Sequence, residues 1–440
     1  AQALRRSQFI TTYGPGAMFE GPEGPRIIPV LGESTLFDEN AADRRPSSFE
    51  VSDRRLSDGL LSGAGIVRLP SNAELGRTEQ AWIYDTRPFP RWSLCTRHGI
   101  LYRKQQRNNR ACPQCPPLQN EPEAWRQAQN QAIRFVRACP AGHMDDVDWK
   151  WIITHNAQGC APQFLRWQGA GGMLRNVQVI CPSCGGSGNL GLAYARDWPC
   201  SGRHPERRDP AGGATCPQRA KIIQRGAANL HIAEIRTALT IPPRSTPLHR
   251  LLEMSMIRAV LLSGPVTSKQ ALIDRITPLA QASLIRPSVI SEIQAYPEQV
   301  ILPAVADTIS GTIPQTPLGL RLQEFEALQH AADNGAPPVP SSSPGAPDQF
   351  EVIPTEVRPL PGPGGIMLRV TPVSRLRVVM VQTGYRRLDP QNPAVDCFYT
   401  DNNGRRWYPG MELFGEGIFI DLAPGHGVPR PWHPVMQGNE

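Results

Sequence analysis

Residues 95–115 read CTRHGILYRKQQRNNRACPQC and contain two closely spaced pairs of potential metal ligands. Two residues separate Cys95 from His98, two separate Cys112 from Cys115, and thirteen lie between the pairs. One tight turn can present each pair, and a hairpin between them can bring all four side chains together. Because four N and S ligands leave no open coordination position, this spacing predicts a closed, structural zinc site of the zinc-ribbon type.

The distribution of the cysteines favours metal sites over disulfide bonds. Nine of the ten lie between Cys95 and Cys216, and Cys397 stands apart. A chain of 440 residues can bury several cores without disulfides. It has no apolar run of about 18 residues and no signal-peptide pattern. We therefore expect a cytoplasmic protein, not bound to a membrane, whose thiols stay reduced; free thiols or a redox pair are the alternative to metal binding.

A second zinc site is predicted from Cys181, Cys184, Cys200 and Cys216, which are separated by two, fifteen and fifteen residues. The segment VICPSCGG places the first two in a knuckle that follows an apolar strand, as in zinc ribbons. The last two are single rather than paired, and His204 is an alternative ligand.

A third zinc site is one interpretation of Cys139, His143, His155 and Cys160, which have the spacings Cys-x3-His and His-x4-Cys. Buried thiols and core histidines are the alternative interpretation of these four residues.

The acidic residues Asp145, Asp146 and Asp148 beside His143 raise an enzymatic alternative. A catalytic zinc has three protein ligands, a water and often a nearby carboxylate, so the third set could belong to a zinc-dependent nuclease or hydrolase. The sequence has no phosphate loop of an ATPase, no nucleophile elbow and no zincin motif. We therefore expect a non-enzymatic protein without catalytic residues.

The cysteine-rich region also carries the basic charge. Between Arg91 and Arg225 there are nineteen Lys and Arg against eight Asp and Glu, and six of the nine tryptophans lie there. Basic and aromatic residues together suit a polyanion whose bases can stack, so we expect DNA binding. A solvated basic face, or a scaffold surface for an acidic protein, is the alternative, and Arg225 could instead cap a neighbouring element. The predicted DNA-binding residues are Arg103, Lys104, Arg107, Arg110 and Arg225.

The hydrophobic patterns and the Gly, Pro and Ser punctuation predict an α+β, multidomain fold. It has zinc-ribbon-like knuckles, an inserted helical region and a C-terminal β-rich part. Residues 121–138 and 246–263 each have the pattern of a helix. The predicted divisions are a mixed or β-rich lobe at 1–90, a zinc-binding basic region at 91–244, a helical insert at 245–335, a Pro/Gly/Ser-rich linker or loop at 336–365 and a β-rich domain at 366–440.

Two smaller features have structural interpretations. TTYGPGAM at 11–18 predicts a rigid turn that is either buried or exposes backbone amides to a phosphate or a partner. Cys397, in VDCFYT, is predicted to be a buried structural thiol in a strand.

Five segments with distinctive sequences follow one another along the chain: RRSQFITTYGPGAMFE (5–20), RFVRACPAGHMDDVDW (134–149), VICPSCGG (179–186), QRGAANLHIAEIRTALTIPP (224–243), and GYRR (384–387) followed by GEGIFIDL (415–422). Taken in this order, they resemble the DrmB family of the bacterial DISARM antiphage defence system. This family shares a domain of unknown function found at the C-terminal end of some helicases. The resemblance covers most of the chain and is weakest in the helical insert and the Pro-rich stretch.

The resemblance implies an accessory subunit that partners DrmA, an SNF2-like helicase, in a complex that engages DNA. A zinc-stabilised basic protein without its own phosphate loop would take ATPase activity from such a partner. Family members continue past GEGIFIDL with helical sequence, so the resemblance also implies a truncated C-terminal domain.

Overall fold

The computed structural model describes fifteen stretches of the chain, namely residues 4–21, 24–41, 44–79, 81, 83–103, 112–115, 131–169, 173–208, 215–242, 244, 246–310, 313–334, 349–353, 358–361 and 367–422. Two compact units are present, each assembled from three separate stretches. The first unit comprises Ala1–Leu36, Ser71–Ile235 and Gln382–Tyr399. The second comprises Phe37–Pro70, Arg236–Val381 and Thr400–Glu440.

Nine α-helices occur in these residues, and six of them follow one another in the second unit. They are α1 (Arg6–Thr11), α2 (Trp149–Ile152), α3 (Leu190–Ala195), α4 (Pro247–Leu252), α5 (Ser255–Leu262), α6 (Lys269–Gln281), α7 (Pro287–Gln294), α8 (Glu298–Ile309) and α9 (Pro317–Asn334). Within the described chain, no helix combines the length and apolar character needed to cross a bilayer.

The strands are short in the first two thirds of the chain and long near its end. They are β1 (Met18–Gly21), β2 (Gly24–Ile27), β3 (Gly65–Val67), β4 (Arg87–Pro88), β5 (Trp92–Cys95), β6 (Ile100–Arg103), β7 (Gln131–Ala132), β8 (Phe135–Ala138), β9 (Met144–Asp146), β10 (Phe164–Gln168), β11 (Gln178–Ile180), β12 (Ser187–Asn189), β13 (Trp198–Pro199), β14 (Arg219–Gln224), β15 (Ile232–Leu239), β16 (Phe350–Val352), β17 (Arg358–Pro361), β18 (Met367–Arg386), β19 (Val395–Asp396), β20 (Tyr399–Thr400) and β21 (Arg406–Leu422). Helices, sheets and a β-rich C-terminal part confirm the predicted α+β class.

Three antiparallel sheets form the first unit, with strand orders β1-β2-β4, β12-β11-β10-β6-β5-β7 and β13-β14-β8-β9. In the six-stranded sheet, Arg166 of β10 lies opposite both Ile100 of β6 and Ile180 of β11. Strands β6 and β11 run in the same direction on either side of β10. The β5–β6 turn comes directly before Ile100, whereas the β11–β12 turn comes directly after Ile180. The two turns therefore lie at opposite ends of the sheet.

The first unit contains an apolar core of buried side chains. Its buried residues include Leu101, Leu165 and Val179 of the six-stranded sheet, together with Trp149 and Trp198. Burial of large apolar side chains stabilises this region independently of any metal.

The predicted helix at 121–138 is wrong in the part that the structure describes. Gln131–Ala132 pairs with β5, and Phe135–Ala138 pairs with β14 on one side and β9 on the other. A central strand satisfies its backbone groups on both edges, and this tertiary pairing overrides a local helical propensity. Residues 116–130 lie outside the described residues.

The pattern at 246–263 gives two helices, α4 and α5, rather than the single predicted helix. Thr246 caps α4 by accepting a hydrogen bond from the His249 amide at 3.3 Å. Ser255 then starts α5, and its amide and hydroxyl donate to the Glu50 carboxylate at 3.2 and 2.7 Å. Glu50 is distant in sequence, so the local pattern could not show this break.

Strands β18 and β21 form the long antiparallel ladder of the second unit, from Leu368 opposite Leu422 to Val381 opposite Gly410. One face packs against α9 through buried residues that include Val373 and Phe419. On the outer part of β21 (413–422), four large apolar side chains are exposed: Leu413 (39%), Phe414 (58%), Ile418 (67%) and Ile420 (51%).

The predicted division of the chain into five segments stays a prediction. Six helices lie between Pro247 and Asn334, in the stretch predicted as a helical insert. Most of the predicted linker at 336–365, and residues 423–440, lie outside the described residues.

Candidate metal centres

Three clusters of Cys and His side chains occur among the described residues, each with four potential ligand atoms within 4.8 Å of one another. Together they contain all twelve Cys and His residues predicted as ligands. We name them centre I (Cys95, His98, Cys112 and Cys115), centre II (Cys139, His143, Cys200 and Cys216) and centre III (His155, Cys160, Cys181 and Cys184).

Centre I has the grouping that the sequence predicted. Cys95 ends β5 and His98 lies in the turn before β6, while the Cys115 amide donates to the Cys112 carbonyl at 2.9 Å and closes the second turn. Gly99 completes the first turn with φ +60°, in the left-handed region that favours glycine. The hairpin thus presents one ligand pair to the other.

The distances in centre I match a tetrahedral site. His98 Nδ1 lies 3.5, 3.7 and 3.3 Å from the sulfurs of Cys95, Cys112 and Cys115, and Cys95 Sγ lies 3.8 Å from Cys115 Sγ. Zinc bonds of about 2.3 Å to sulfur and about 2.0 Å to nitrogen place tetrahedral ligand atoms about 3.5–3.8 Å apart. Nδ1 is therefore the ring atom of His98 that is placed to bind a metal together with the three sulfurs.

Centre II is assembled at one end of the four-stranded sheet. Cys139 follows β8, Cys200 follows β13 and Cys216 precedes β14. Since β14 runs antiparallel to both other strands, its beginning lies beside their ends, as the pairs Lys221–Ala138 and Arg219–Pro199 show. The register of this sheet therefore brings three distant chain segments to one place.

The fourth ligand of centre II comes from the β8–β9 turn. Its Cys139–His143 segment is closed by a hydrogen bond from the Cys139 amide to the His143 carbonyl at 3.1 Å, and Cys139 Sγ lies 3.4 Å from His143 Nδ1. Gly142 has φ +82° in this turn. The Gly202 amide donates to Cys200 Sγ at 3.3 Å, and this hydrogen bond opposes the rise that burial causes in the pKa of the thiol.

Centre III forms around the β11–β12 turn. Cys181 and Cys184 lie in this turn, and a bridge between Thr154 and Ser187 brings His155 beside it. His155 Nδ1 lies 3.3 Å from Cys184 Sγ, and Cys160 Sγ lies 3.5 Å from Cys181 Sγ. The hydrogen bond from the Gly186 amide, together with His155, lowers the pKa of the Cys184 thiol to about 6. This sulfur is thereby prepared to act as a thiolate ligand.

The predicted grouping of the second and third ligand sets is wrong. Cys181 and Cys184 were expected to join Cys200 and Cys216, but they belong with His155 and Cys160 in centre III. Cys200 and Cys216 instead complete centre II with Cys139 and His143. The two fifteen-residue intervals between Cys184, Cys200 and Cys216 carried no information on which strands pair. His204, the alternative ligand, does not belong to any of the three clusters among the described residues.

All ten cysteines are free thiols. The 3.5–3.8 Å sulfur–sulfur distances in centres I and III far exceed a disulfide bond of about 2.05 Å. Cys397 lies between β19 and β20 rather than in a strand, is buried, and donates to the Gln382 carbonyl at 3.2 Å, in agreement with a structural thiol.

Comparison with protein families matches residues 5–232 to a domain of unknown function, DUF8724. The chain belongs to this family. The matched stretch holds all twelve ligands of the three centres. The chain is also 22% identical over 366 residues to the DISARM protein DrmB of Bacillus paralicheniformis, a match that covers 76% of this chain and 58% of that relative. The resemblance to DrmB proteins is therefore confirmed, while the chain spans little more than half the length of this relative.

In this DUF8724 protein, the acidic residues near His143 form ion pairs with arginines. Asp146 accepts hydrogen bonds from the Arg91 amide at 2.8 Å and from its guanidinium at 2.9 Å. Asp145 lies 3.7–3.8 Å from the guanidinium groups of Arg91, Arg137 and Arg203. Burial raises the pKa of Asp146, although the Arg91 contacts oppose this shift. These carboxylates therefore neutralise arginines, and none of them is among the four ligands of centre II.

A buried charged network that sequence reasoning missed supports centre II. The Arg387 guanidinium donates to Glu206 at 3.2 Å and to the carbonyl of Gly142, and both charged side chains are fully buried. His204 donates to Glu206 at 2.8 Å, and its ring lies 4.6 Å from that of the ligand His143. Burial disfavours the Glu206 carboxylate, but Arg387 and His204 outweigh it and lower its pKa to about 2. The GYRR motif was the only sequence signal for this network.

The GPG turn is buried within the first unit. The Gly16 amide donates to Ile28 at 2.8 Å, its carbonyl accepts from Arg387 at 3.0 Å, and it has φ +86°. A Cβ atom at Gly16 would overlap the ring of Tyr385. The structure therefore supports the buried-turn interpretation.

The predicted DNA-binding residues fall into different environments. Arg103 is exposed at the end of β6, while Lys104, Arg107 and Arg110 lie outside the described residues. Arg225 pairs with Glu20 at 2.7 Å and donates to the carbonyls of residues 132 and 133 at 2.9 and 2.8 Å. These contacts agree with the capping alternative for Arg225.

Proposed function

We propose that this protein is a non-catalytic, zinc-stabilised accessory subunit that helps an SNF2-like helicase bind DNA in bacterial antiphage defence. The observation that carries this proposal is the set of three closed four-ligand centres within a strongly basic region. The similarity to a DISARM protein supports the defence role. The non-catalytic role, the binding of DNA and the helicase partner are all parts of this proposal.

Zinc is the metal that best suits the three donor sets. Each set combines thiol sulfur with one imidazole nitrogen, as Cys₃His sites do, and the spacings between ligand atoms fit tetrahedral bond lengths. The bound ion would hold two separate chain segments in one geometry at centres I and III, and three at centre II. Its chemistry there is structural, since four protein ligands complete the tetrahedron.

The presence of four protein ligands at each centre argues against the alternative of a zinc-dependent nuclease or hydrolase. A hydrolytic centre needs a position for water and a free carboxylate near it. Asp145 and Asp146 instead face arginines. Loss of DNA cleavage in a folded Asp145→Ala, Asp146→Ala and Asp148→Ala triple variant would favour the enzyme over our proposal.

Exposed basic and aromatic side chains near the centres supply a surface for DNA. Arg219 and Lys221 face solvent from β14, which leads away from centre II. Arg103 is exposed at the end of β6 that is farther from the turn of centre I. Trp151 of α2 is 62% exposed, whereas Trp149 on the same helix is buried in the core. Basic side chains neutralise phosphates, and an exposed indole can stack on an unpaired base.

Partner docking is assigned to the outer part of β21. Its exposed Phe414, Ile418 and Ile420 form an apolar strand segment of the kind that subunit interfaces cover. We expect Ile418→Lys to weaken binding of the helicase subunit while leaving DNA binding by the isolated chain unchanged.

Salt dependence of DNA binding tests the central proposal. The affinity for duplex or overhang DNA should fall steeply between low and moderate salt, because each neutralised phosphate contributes about 0.9 to the logarithmic slope. Reversing Arg219 and Lys221 to Glu should reduce this slope. A matched control is the reversal of Arg286 and Arg375 to Glu, which makes the same charge change in the second unit.

Three outcomes of this titration are informative. A slope reduced only by the first-unit variant supports the proposal. An affinity that does not change with salt contradicts electrostatic DNA binding. If the variant keeps its DNA affinity but loses a protein partner, the basic surface belongs to a protein scaffold instead.

A further inference from the structure

A cavity of 460 Å³ lies within the second unit, remote in sequence from the metal ligands. Its lining comes from the start of a π-helical turn (Arg55–Leu60), from the segment after β15, from the end of α8 and from one side of α9. The volume lies within the range of about 300–1,000 Å³ that is typical of small-molecule sites. Four arginines line it: Arg54, Arg55, Arg244 and Arg377.

Arginines outnumber carboxylates around this cavity by one, since four arginines line it together with Asp53, Glu253 and Glu326. Arg244 lies 3.7 Å from Glu253. Asp58 is shared by Arg54 and Arg258, at 3.4 and 2.5 Å. Glu412 is likewise shared by Arg250 and Arg377, at 3.2 and 2.9 Å. Each of these two pairs of arginines therefore shares a single carboxylate, and the lining as a whole keeps an excess of one arginine over its carboxylates.

The protonation of nearby groups agrees with this excess. Burial lowers the pKa of Arg54, and repulsion from Arg258 and Arg244 lowers it further. Burial, together with Asp53, raises the pKa of Glu253 to about 7, so this lining carboxyl is only partly charged at neutral pH.

Arg55 supplies an unused donor at the cavity. The residue is 7% exposed, and Nη2 donates to the Leu239 carbonyl. Its Nη1 atom is buried and has no hydrogen-bond partner among the residues described by the structure. A buried, unpaired guanidinium nitrogen costs about 1–3 kcal/mol or more in lost hydrogen bonding, and a small shift of the side chain toward an anion would recover it.

We propose that this cavity binds a small phosphate-bearing anion of mononucleotide size. A phosphate monoester carries about −1.5 to −2 charge at pH 7, which the arginines that share carboxylates can attract, and its oxygens fit the guanidinium fork. The partly exposed Gln323 and Ala327 of α9 form the wall beside which the rest of the ligand lies. This proposal is independent of DNA binding by the first unit.

Calorimetric titration of the full chain with AMP, inorganic phosphate and adenosine tests it. AMP and phosphate should bind with one site per chain, and adenosine should not. Arg55→Gln should weaken AMP binding about tenfold or more, as expected for loss of a charge-assisted donor.

A cavity-filling variant keeps the test valid if Arg55→Gln does not fold. Ala327→Trp should abolish AMP binding without breaking any ion pair, whereas Leu322→Trp, on an exposed α9 position outside the cavity, should leave it unchanged. Adenosine binding as tightly as AMP, no binding of AMP at millimolar concentration, or unchanged affinity in Ala327→Trp would overturn the proposal.

Discussion

Paired cysteine substitutions can decide which ligands share a metal ion. We expect the intact protein to hold three zinc ions, one for each centre. Cys139→Ser with Cys200→Ser removes two ligands of centre II only, so two ions should remain. Cys181→Ser with Cys200→Ser damages centres III and II, so one ion should remain. The grouping inferred from sequence spacing predicts the opposite pair of counts.

The assignment of ligands to centres also predicts how the cysteine substitutions change the unfolding free energy. Structural zinc contributes about 10–16 kcal/mol of apparent binding energy in small zinc domains, so loss of one centre should lower the unfolding free energy measurably. Once Cys139 is replaced, the further loss on replacing Cys200 should be small, because the ion is already gone. The Cys181 and Cys200 losses should be nearly additive.

Metal content by inductively coupled plasma mass spectrometry and urea unfolding provide the two readouts. Cys397→Ala is the matched control, since this buried thiol lies outside the three clusters and should leave three ions bound. One ion in the Cys139/Cys200 variant, or two in the Cys181/Cys200 variant, would refute the assignment of ligands to centres II and III.

Three further changes test other parts of the structure. Glu206→Gln leaves the fully buried Arg387 without a counterion and should cost about 3–5 kcal/mol in urea unfolding; a loss below about 1 kcal/mol would show that the pair is dispensable. Glu253→Gln should stabilise the protein by up to about 3 kcal/mol at pH 8 and by little at pH 4, because the penalty for the buried charge accumulates between the usual pKa of 4.5 and the raised folded-state pKa of about 7; equal unfolding free energies at pH 8 would contradict this. Gly186→Ala should destabilise centre III, since the new Cβ would overlap the Thr154 carbonyl, whereas Gly226→Ala has free space; equal thermal midpoints for the two variants would argue against that contact.

Much of the candidate site could be predicted because ligand chemistry is local. The spacings Cys-x2-His, Cys-x2-Cys, Cys-x3-His and His-x4-Cys each describe a short segment, and they include ten of the twelve side chains that the structure places in clusters. Cys200 and Cys216 are single residues and were included by their residue type alone. The α+β class and the β-rich C-terminal part followed from hydrophobic patterns of similar short range.

Features that depend on distant residues could not be predicted in this way. Ser255, at the start of α5, donates to the distant Glu50, and the strand at Phe135–Ala138 pairs with two neighbours in the sheet. The buried Arg387–Glu206 pair joins residues 181 positions apart. A short sequence pattern does not indicate contacts between residues that are far apart along the chain.

The sequence by itself determined which side chains are potential metal ligands. It also indicated that most of them lie in tight turns, because a turn is formed by neighbouring residues. Only the tertiary structure decided which turns face one another. The register of β14 against β8 and β13 brings Cys200 and Cys216 to Cys139, and the Thr154–Ser187 bridge brings His155 to Cys184. The physical reason is that strand register is set by hydrogen bonding and burial over the whole sheet, whereas the spacing of single cysteines along the chain leaves their partners open.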